Sequence, residues 1–389
     1  MPDGSFLTIQ PEPDALAAFD HTGFAEPPPD YEMPSLARKG RGAVTNPASR
    51  YDHQVAASID DGWSFLTGEE LTLPPSQTIL ERDASRSALA WNDSPDIGFD
   101  RAVNPYRGCE HGCIYCYARP SHAYLGYSPG LDFETRITFK PEIATLLEKE
   151  LSKPGYKPAT VALGSNTDPY QPVERTMRLT RSVLEVLERF NHPVSIVTKS
   201  ASVLADTDIL QRLAEKNLVR VWLSITTLDP ALARIMEPRA STPARRLHAI
   251  EALTEAGIPA GVLAAPMIPG LNDPELERIM QAAHRSGARH AAYVLLRLPF
   301  ELRDMFIAWL NEHMPDRARR ILALIRETRA GALNDSRFGQ RFTGQGAYAD
   351  LLAQRFDRAR RQFGFTGREL LDATQFCVPR PESRQLSLI

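Results

Sequence analysis

The sequence predicts an α/β protein built on an open parallel sheet with helices packed outside it. Between about residue 99 and residue 300, six short apolar runs alternate with amphipathic segments, which is the pattern of repeated strand–helix units. The apolar runs are nearly continuous, as in parallel strands that are buried on both faces. A chain of 389 residues can form one large domain or two ordinary ones. We therefore predict a central domain at 99–300, a largely irregular N-terminal extension at 1–98 and a helical C-terminal extension at 301–389.

Six strands are predicted, at 99–104, 159–163, 194–198, 218–226, 261–268 and 291–297. Helices are predicted between them at 141–151, 176–190 and 273–286. Two more helices begin at caps: one at Asp206 or Thr207, the other at Ser241 or Thr242, with Pro243 in its first turn and Gly257 past its end. Six units are too few for a closed eight-stranded barrel, so the fold class is a partial (β/α)6 TIM-like barrel. In such folds the chemistry lies at the C-terminal ends of the strands.

The two extensions differ from the central domain in composition. Prolines at 27–29 and 74–75 break periodic patterns in the first 98 residues, and the basic tract at 38–42 is either solvated linker or a phosphate contact. The segment 76–100 is expected to pack on the central domain by burying Trp91 and Phe99. After residue 300, helices are predicted at 302–313, 318–329 and 347–363. Their arginines form either solvated helix faces or a phosphate-binding surface: Arg317, Arg319, Arg320, Arg326, Arg329, Arg337, Arg341, Arg355, Arg358, Arg360 and Arg361.

Composition excludes several classes of protein. A net charge of −3 gives no overall attraction to nucleic acid or to an anionic membrane. No apolar run approaches the roughly 20 residues of a membrane-spanning helix, and the N-terminus does not read as a signal peptide. Four cysteines, three of them clustered, do not form a disulfide framework. We expect a cytoplasmic protein whose thiols stay reduced.

The three clustered cysteines are the strongest chemical signal. Cys109, Cys113 and Cys116 have the spacing C-x3-C-x2-C and follow the first predicted strand. Three thiolates can hold an iron–sulfur cube and leave one iron open. The alternative is a structural zinc site, which needs four ligands. Its fourth ligand would come from His111, His122 or Cys377.

This motif, with Tyr115 before its last cysteine and a strand in front of it, resembles the radical S-adenosylmethionine (SAM) superfamily. Within that superfamily the chain resembles the spore photoproduct lyases over roughly residues 76–300. The resemblance depends on Asn-Pro-Tyr-Arg-Gly-Cys at 104–109 and Ser-Asn-Thr-Asp-Pro-Tyr-Gln-Pro at 165–172. It implies a [4Fe–4S] cluster on the three cysteines, with S-adenosylmethionine on the open iron. One electron, from a donor such as flavodoxin or ferredoxin, would then yield a 5′-deoxyadenosyl radical that abstracts hydrogen from the substrate.

The ends of the later strands carry the predicted cofactor contacts. Ser165, Asn166, Thr167 and Asp168 follow the second strand, where the methionyl ammonium should lie. By similarity to the lyases, Thr167, Asp168, Lys199 and Ser224 occupy cofactor-contacting positions, with Lys199 on the carboxylate. Two further residues are candidates: Arg239 for the carboxylate and the backbone of Ile268 for adenine. The alternative for each polar residue is an ordinary cap or loop hydrogen bond.

One position departs from the lyase pattern. Lyases carry a hydrogen-donor cysteine just after the second strand, with tyrosines beside the cluster that relay the radical. This chain has Tyr115 and Tyr117 but carries Ser165 at the donor position. Because a serine O–H is a poor hydrogen-atom donor, reversal of a thymine dimer by the lyase route is not expected. Cys377 could replace the missing thiol only if the tail folds over the barrel mouth; otherwise it is small core filler.

The last five residues form a second, independent signal. Gln385, Leu386, Ser387, Leu388 and Ile389 resemble the peptide by which bacterial proteins bind the sliding clamp. A terminal segment that follows Pro379 and Pro381 can extend into a groove on such a partner.

These observations predict a radical SAM enzyme acting on nucleic acid, in DNA repair or base modification. Two alternatives stay open. The radical enzyme could act on a small molecule or a protein, or the cluster could be a non-enzymatic element of a DNA- or clamp-associated protein.

Overall fold

The computed structural model describes residues 40–51, 77–367 and 370–379. Its main sheet has seven strands in the order β10-β9-β8-β7-β6-β3-β2, and every pair is parallel except β2 with β3. The strands are β2 (Leu89–Trp91), β3 (Arg101–Val103), β6 (Val161–Leu163), β7 (Val194–Thr198), β8 (Val219–Ser224), β9 (Ala260–Met267) and β10 (His290–Leu295). All six predicted strands are present. The predicted α/β partial barrel is therefore confirmed.

Helices separate the parallel strands along the chain, and a helical part follows β10. They are α1 (Leu131–Thr135), α2 (Ile143–Leu151), α3 (Glu174–Met177), α4 (Leu179–Arg189), α5 (Thr207–Glu215), α6 (Pro230–Met236), α7 (Pro243–Glu255), α8 (Leu276–Arg285), α9 (Leu302–His313), α10 (Pro315–Glu327) and α11 (Ala347–Gln362). Buried apolar residues of the main sheet and of α2, α4, α5, α7, α8 and α11 form the main core. A second apolar cluster joins α6, α9 and α10 to the cysteine-bearing loop. No helix in the described ranges is long and apolar enough to cross a membrane.

Two details of the predicted helices are wrong. The helix predicted at 176–190 is broken at Arg178, which has a positive φ of 50°. The break lets the Glu174 carboxylate accept the main-chain N–H groups of Leu179 and Thr180 at 3.1 and 2.8 Å, so that it caps α4. Asp206 does stand before α5, but its carboxylate accepts from Tyr170 and an arginine instead of from the helix. Thr242 caps α7 as predicted.

A second, three-stranded sheet was not predicted. Its order is β1 (Ile79–Arg82), β5 (Arg136–Phe139) and β4 (Tyr106–Arg107). With β2, strand β1 brings the segment 76–100 onto the rest of the chain, as expected. Trp91, however, is 64% exposed and lies over the Arg101 guanidinium instead of being buried.

The two edges of the main sheet approach each other. Asp96, in the loop between β2 and β3, accepts a 2.9 Å hydrogen bond from Arg341. The next residue, Phe342, accepts the main-chain N–H of Leu295 at the end of β10. Because β2 and β10 are opposite ends of the strand order, this contact curls the sheet. We call the region between these edges the seam.

The C-terminal segment 370–379 lies at the N-terminal ends of the strands. The Cys377 N–H donates to Phe190 O, just before β7, and that of Asp372 donates to Asn217 O, just before β8. Cys377 is exposed, so it is not core filler, and it does not lie at the strand ends that carry the other three cysteines. The predicted clamp-binding peptide and most of the N-terminal extension lie outside the described residues.

Candidate active site

The three cysteines lie in a loop that follows β3 and β4, at the C-terminal ends of the parallel strands. Cys109 and Cys113 are buried and Cys116 is partly buried. Burial raises the pKa of the Cys109 thiol well above its usual value, and the charges of Asp168 and the other two cysteines add to the rise. Burial likewise raises the pKa of Cys113 to about 12, although Lys199 opposes it. The sulfurs of Cys109 and Cys113 thus lie in a low-dielectric environment, where thiolates need a cationic partner.

Residues of the β6–α3 connection hold this loop in shape. The Gln171 amide accepts the main-chain N–H of Glu110 at 2.9 Å and donates to Gly108 O at 3.3 Å, on either side of Cys109. Asp168 Oδ2 lies 3.3 Å from His111 Nδ1. Gln171 and Asp168 both belong to the segment 165–172, which the sequence comparison with the lyases had singled out. Their described contacts brace the cysteine loop.

The segment 40–51, which we call the strap, packs directly on the loop. A Cβ added at Gly42 would come within 1.8 Å of Gly112 O, so only glycine allows this backbone contact. The Glu134 carboxylate accepts the N–H groups of Gly42 and Ala43 at 3.1 and 2.8 Å, and it pairs with Arg119 where neither side chain is exposed. The basic tract at 38–42 is described from Gly40 onward. There, Arg41 donates to Glu134 O, an internal contact.

Lys199 places a positive charge beside the sulfurs. It follows β7, and its ammonium lies 5.6 Å from the centre of the Tyr115 ring. Burial would lower its pKa, but the nearby Cys113, Glu237 and Cys116 raise it, so the side chain stays charged. The Lys199 ammonium makes no hydrogen bond or salt bridge with any described residue. An unpaired, largely enclosed cation next to three thiols is expected to receive an anionic group.

The two tyrosines have different environments. The buried Tyr115 hydroxyl donates to Glu237, whose carboxylate also binds Thr226 and Arg246. Tyr117 is 49% exposed, and its hydroxyl donates to the Ser165 main-chain carbonyl. Tyr115 therefore belongs to a buried polar network, whereas Tyr117 stands at the opening.

The remaining predicted residues are distributed around the loop. The Ser165 hydroxyl faces the Asn104 amide, whose oxygen also accepts the Asn166 N–H at 3.1 Å. Thr167 donates to Tyr106 O at 3.1 Å. Asp168 accepts from Thr198 and from the Lys199 N–H, both at 2.7 Å. In the second half of the barrel, the contacts are as follows: Ser224 donates to Ala265 O, the Ile268 N–H donates to Asn272, and Arg239 donates to Glu110.

The structure therefore brings Asp168, Lys199 and the cysteines together. The hydroxyls of Thr167 and Ser224 donate hydrogen bonds to main-chain carbonyls, which was the alternative to cofactor contact. Arg239 contacts the loop itself, through the Glu110 carboxylate and the His111 carbonyl. Sequence reasoning missed Glu134, Glu237 and Arg246, which are buried charges joined across long separations. Glu237 stands in Met-Glu-Pro-Arg at 236–239, where only Arg239 was singled out.

The donor set fits an iron–sulfur cube better than zinc. In the part of the chain that is described, no three His, Cys, Asp or Glu side chains are arranged to hold a single ion. A cube is bound through three separate irons, so its cysteines need not converge as ligands of one ion do. Of the alternative fourth ligands, Cys377 is excluded by position, because it lies at the other end of the strands. The His122 ring packs against Phe133 and Tyr127.

Comparison with known proteins agrees with this assignment. A family model of the radical SAM superfamily matches residues 103–283. An uncharacterized protein of Mycobacterium tuberculosis is 36% identical over 232 residues, which are 59% of this chain and 68% of the relative. This chain belongs to the radical SAM superfamily. It is therefore a radical SAM enzyme, and its cofactors are a [4Fe–4S] cluster and S-adenosylmethionine, as predicted.

Two further similarities bear on the branch and the fold. An uncharacterized protein of Methanocaldococcus jannaschii is 29% identical over 178 residues, which are 46% of this chain and 64% of the relative. The structure of spore photoproduct lyase complexed with dinucleoside spore photoproduct has a TM-score of 0.52 and 18% identity. That match covers 73% of this chain and 79% of the lyase chain. The radical SAM barrel of this chain thus has the fold of the branch that its sequence resembles.

Proposed function

We propose that this radical SAM enzyme abstracts a hydrogen atom from a nucleic acid, in base repair or modification in the cytoplasm. When bound, the cofactors supply the 5′-deoxyadenosyl radical. The proposal of a nucleic acid substrate is supported by aromatic rings that are paired with arginines around the cysteine loop. Unpaired bases stack on such rings and on guanidinium planes.

The first group of rings surrounds Arg50, at the end of the strap. Its guanidinium carbon lies 4.7 Å from the ring centre of Tyr51, 5.1 Å from that of Tyr124 and 4.6 Å from that of Phe300. Each ring is more than half exposed. Arg50 also pairs with Glu301 at 3.0 Å, which fixes its position. We call this group the aromatic platform.

The second group lies at the seam. Arg297, two residues beyond β10, has its guanidinium carbon 5.7 Å from the Tyr117 ring centre and 4.9 Å from that of Phe342. Its guanidinium has no hydrogen bond or salt bridge to any described residue, and its Nε is buried. A cation held by rings and left without an anion is suited to a phosphate of the substrate.

The chemistry after abstraction is proposed to differ from that of the lyases. The Ser165 hydroxyl pairs with the Asn104 amide, and no thiol other than the three of the cysteine loop lies near it in the described ranges. A substrate radical would therefore not be quenched by a thiol at this position. This supports modification, or repair by another donor, over the lyase route.

The reaction is tested by measuring 5′-deoxyadenosine from anaerobically reconstituted, dithionite-reduced protein, with and without single-stranded oligonucleotides. We expect nucleic acid to raise its release and to acquire a new mass. No release from protein with an intact cluster would contradict the proposed chemistry. Release that nucleic acid leaves unchanged would contradict the proposed substrate.

The platform is tested by the pair Tyr124→Ala and Phe300→Ala. Because stacking contributes about 1–3 kcal/mol per base, we expect each variant to lower oligonucleotide affinity roughly 5- to 150-fold. Trp91→Ala is the matched control, because Trp91 is also exposed and also lies over an arginine, but at the N-terminal ends of the strands. Equal losses in the control and the platform variants would refute a specific platform.

The terminal peptide at 385–389 is proposed to tether the enzyme to the bacterial sliding clamp, on its sequence alone. Deleting these five residues should abolish association with purified clamp. Association that survives the deletion would refute this role.

A further inference from the structure

A basic cleft opens on the outer side of the cysteine loop. It has a volume of about 160 Å³, and His111, Arg175, Ser200, Arg239 and Arg245 are among its lining residues. None of the residues that line it is acidic. The cleft therefore has three guanidinium groups on its walls and a residue of the cysteine loop among them. We call it the basic cleft.

Its charge is only partly neutralised. Arg239 donates to Glu110 at 3.1 Å, and that glutamate is buried beneath it. Arg175 and Arg245 are exposed, and the side chain of neither makes a hydrogen bond or salt bridge with another described residue. Two free guanidinium groups at one opening attract an acidic surface, at a rate that depends on ionic strength.

The wall of the basic cleft includes a residue of the cysteine loop. His111 stands between Cys109 and Cys113, and its carbonyl accepts the Arg239 N–H at 3.3 Å. A partner seated in the basic cleft would thus be separated from the cysteines by little more than the loop itself. Electron transfer between proteins weakens steeply with distance, so this is a favourable place for an electron to enter.

The basic cleft is separate from the proposed substrate groups. His111 faces Asp168 and the residues that follow β7, whereas Tyr117 faces Ser165 and the seam. A partner at the basic cleft and a substrate at the seam would approach different sides of one loop. Both could then be bound at once.

We propose that the basic cleft is the docking site of an acidic one-electron donor protein. The donor loses one electron and the enzyme gains it, and no bond is made or broken at the interface. Arg175 and Arg245 recognise carboxylates of the donor, while Arg239 and Glu110 hold the wall of the cleft. Interfaces of this kind are small and transient, and their strength depends on charge.

The test uses the charge reversal Arg175→Glu/Arg245→Glu, with Arg319→Glu/Arg320→Glu as a control that makes the same change on exposed arginines of α10. Binding of oxidised flavodoxin, and separately of oxidised ferredoxin, is measured by surface plasmon resonance at about 50 and about 300 mM NaCl. We expect wild type to bind at least one donor at low salt and to lose it at high salt. The double variant at the cleft should bind at least 10-fold more weakly, and the α10 control should match wild type.

A second measurement separates docking from chemistry. With the donor and its reductase, 5′-deoxyadenosine formation should fall at least 10-fold in the cleft variant, whereas with dithionite it should equal that of wild type. Equal loss with both reductants would overturn the proposal, because the arginines would then serve the cofactors. It would also be overturned by unchanged donor binding, by absence of binding to wild type, or by loss of oligonucleotide affinity without loss of donor affinity.

Discussion

The two sides of the cysteine loop differ in how their arginines are satisfied. At the seam and the platform, the guanidinium groups lie against aromatic rings, as Arg297 does with Phe342 and Arg50 with Tyr124. At the basic cleft, the side chains of Arg175 and Arg245 make no cation–π contact, hydrogen bond or salt bridge with another described residue. Aromatic rings paired with arginines can stack on bases and bind their phosphates. Arginines without a partner can instead form transient ion pairs with an acidic protein surface.

Both sides depend on the same internal support. The strap, Glu134 and Arg119 hold the loop from one direction, and Gln171 and Asp168 hold it from another. A change in this support should therefore affect both sides equally. A change on one side should leave the other intact.

The largest effect is expected from Glu134→Ala. Removing this carboxylate leaves the Arg119 charge buried and two strap N–H groups unpaired, at a cost of about 3–5 kcal/mol in the free energy of unfolding. Urea unfolding measures the loss, and oligonucleotide and donor binding should both weaken with it. Glu148→Ala is the control, because Glu148 pairs with Arg189 at the surface and should cost less than about 1 kcal/mol. A small loss in the Glu134 variant would show that the strap does not support the loop.

The second effect is a loss of stability in acid. Burial lowers the pKa of His122 and of His192 to about 4, so both stay neutral in the folded protein. Below pH 6.5 the unfolded chain binds protons at these residues and the folded chain does not. The free energy of unfolding should therefore fall as the pH drops from 6.5 to 4, by up to about 3 kcal/mol per histidine.

Unfolding by urea at pH 7.5 and pH 5 measures this effect. His192→Gln should flatten the decline, whereas His248→Gln should not, because His248 is exposed. His192 packs with Phe376 at the N-terminal ends of the strands, and His122 lies just after the cysteine loop. A decline that His192→Gln leaves unchanged would mean that His192 does not contribute to the loss of stability in acid.

The sequence predicted the strands, most helices and the cysteine loop because each of these follows from a local pattern. Apolar runs locate β7 and β8, and a cap with Pro243 and Gly257 locates α7. The sequence did not predict strand β5, which pairs with β1 and β4 from distant parts of the chain. Such pairings depend on contacts that no local window contains.

The same distinction holds at the site. Cys109, Asp168 and Lys199 were recognised because their spacing or their position at a strand end is visible in the sequence. The function of Gly42, which allows the strap to touch Gly112, could not be seen. The two sides of the loop were likewise invisible, because Arg175 and Arg245 are far apart in the sequence and meet only at the basic cleft.

The smallest expected effect, and the sharpest test of the difference between the two sides, comes from Asp96→Asn. Asp96 pairs with Arg341 at the seam, with both side chains largely buried. The variant keeps the size of the side chain and removes its charge, so Arg341 becomes a second unpaired guanidinium beside Arg297. We expect oligonucleotides to bind slightly more tightly, with the slope of log affinity against log salt steeper by about one.

Donor binding at the basic cleft should not change in this variant, because Asp96 and the cleft lie on different sides of the loop. Asp335→Asn is the matched control, since it frees Arg337, an exposed arginine with a similar pairing. An unchanged salt slope in Asp96→Asn would mean that phosphates do not reach the seam. A change in donor binding would mean that the two sides share one electrostatic field, so that a bound substrate would also alter how the electron donor docks.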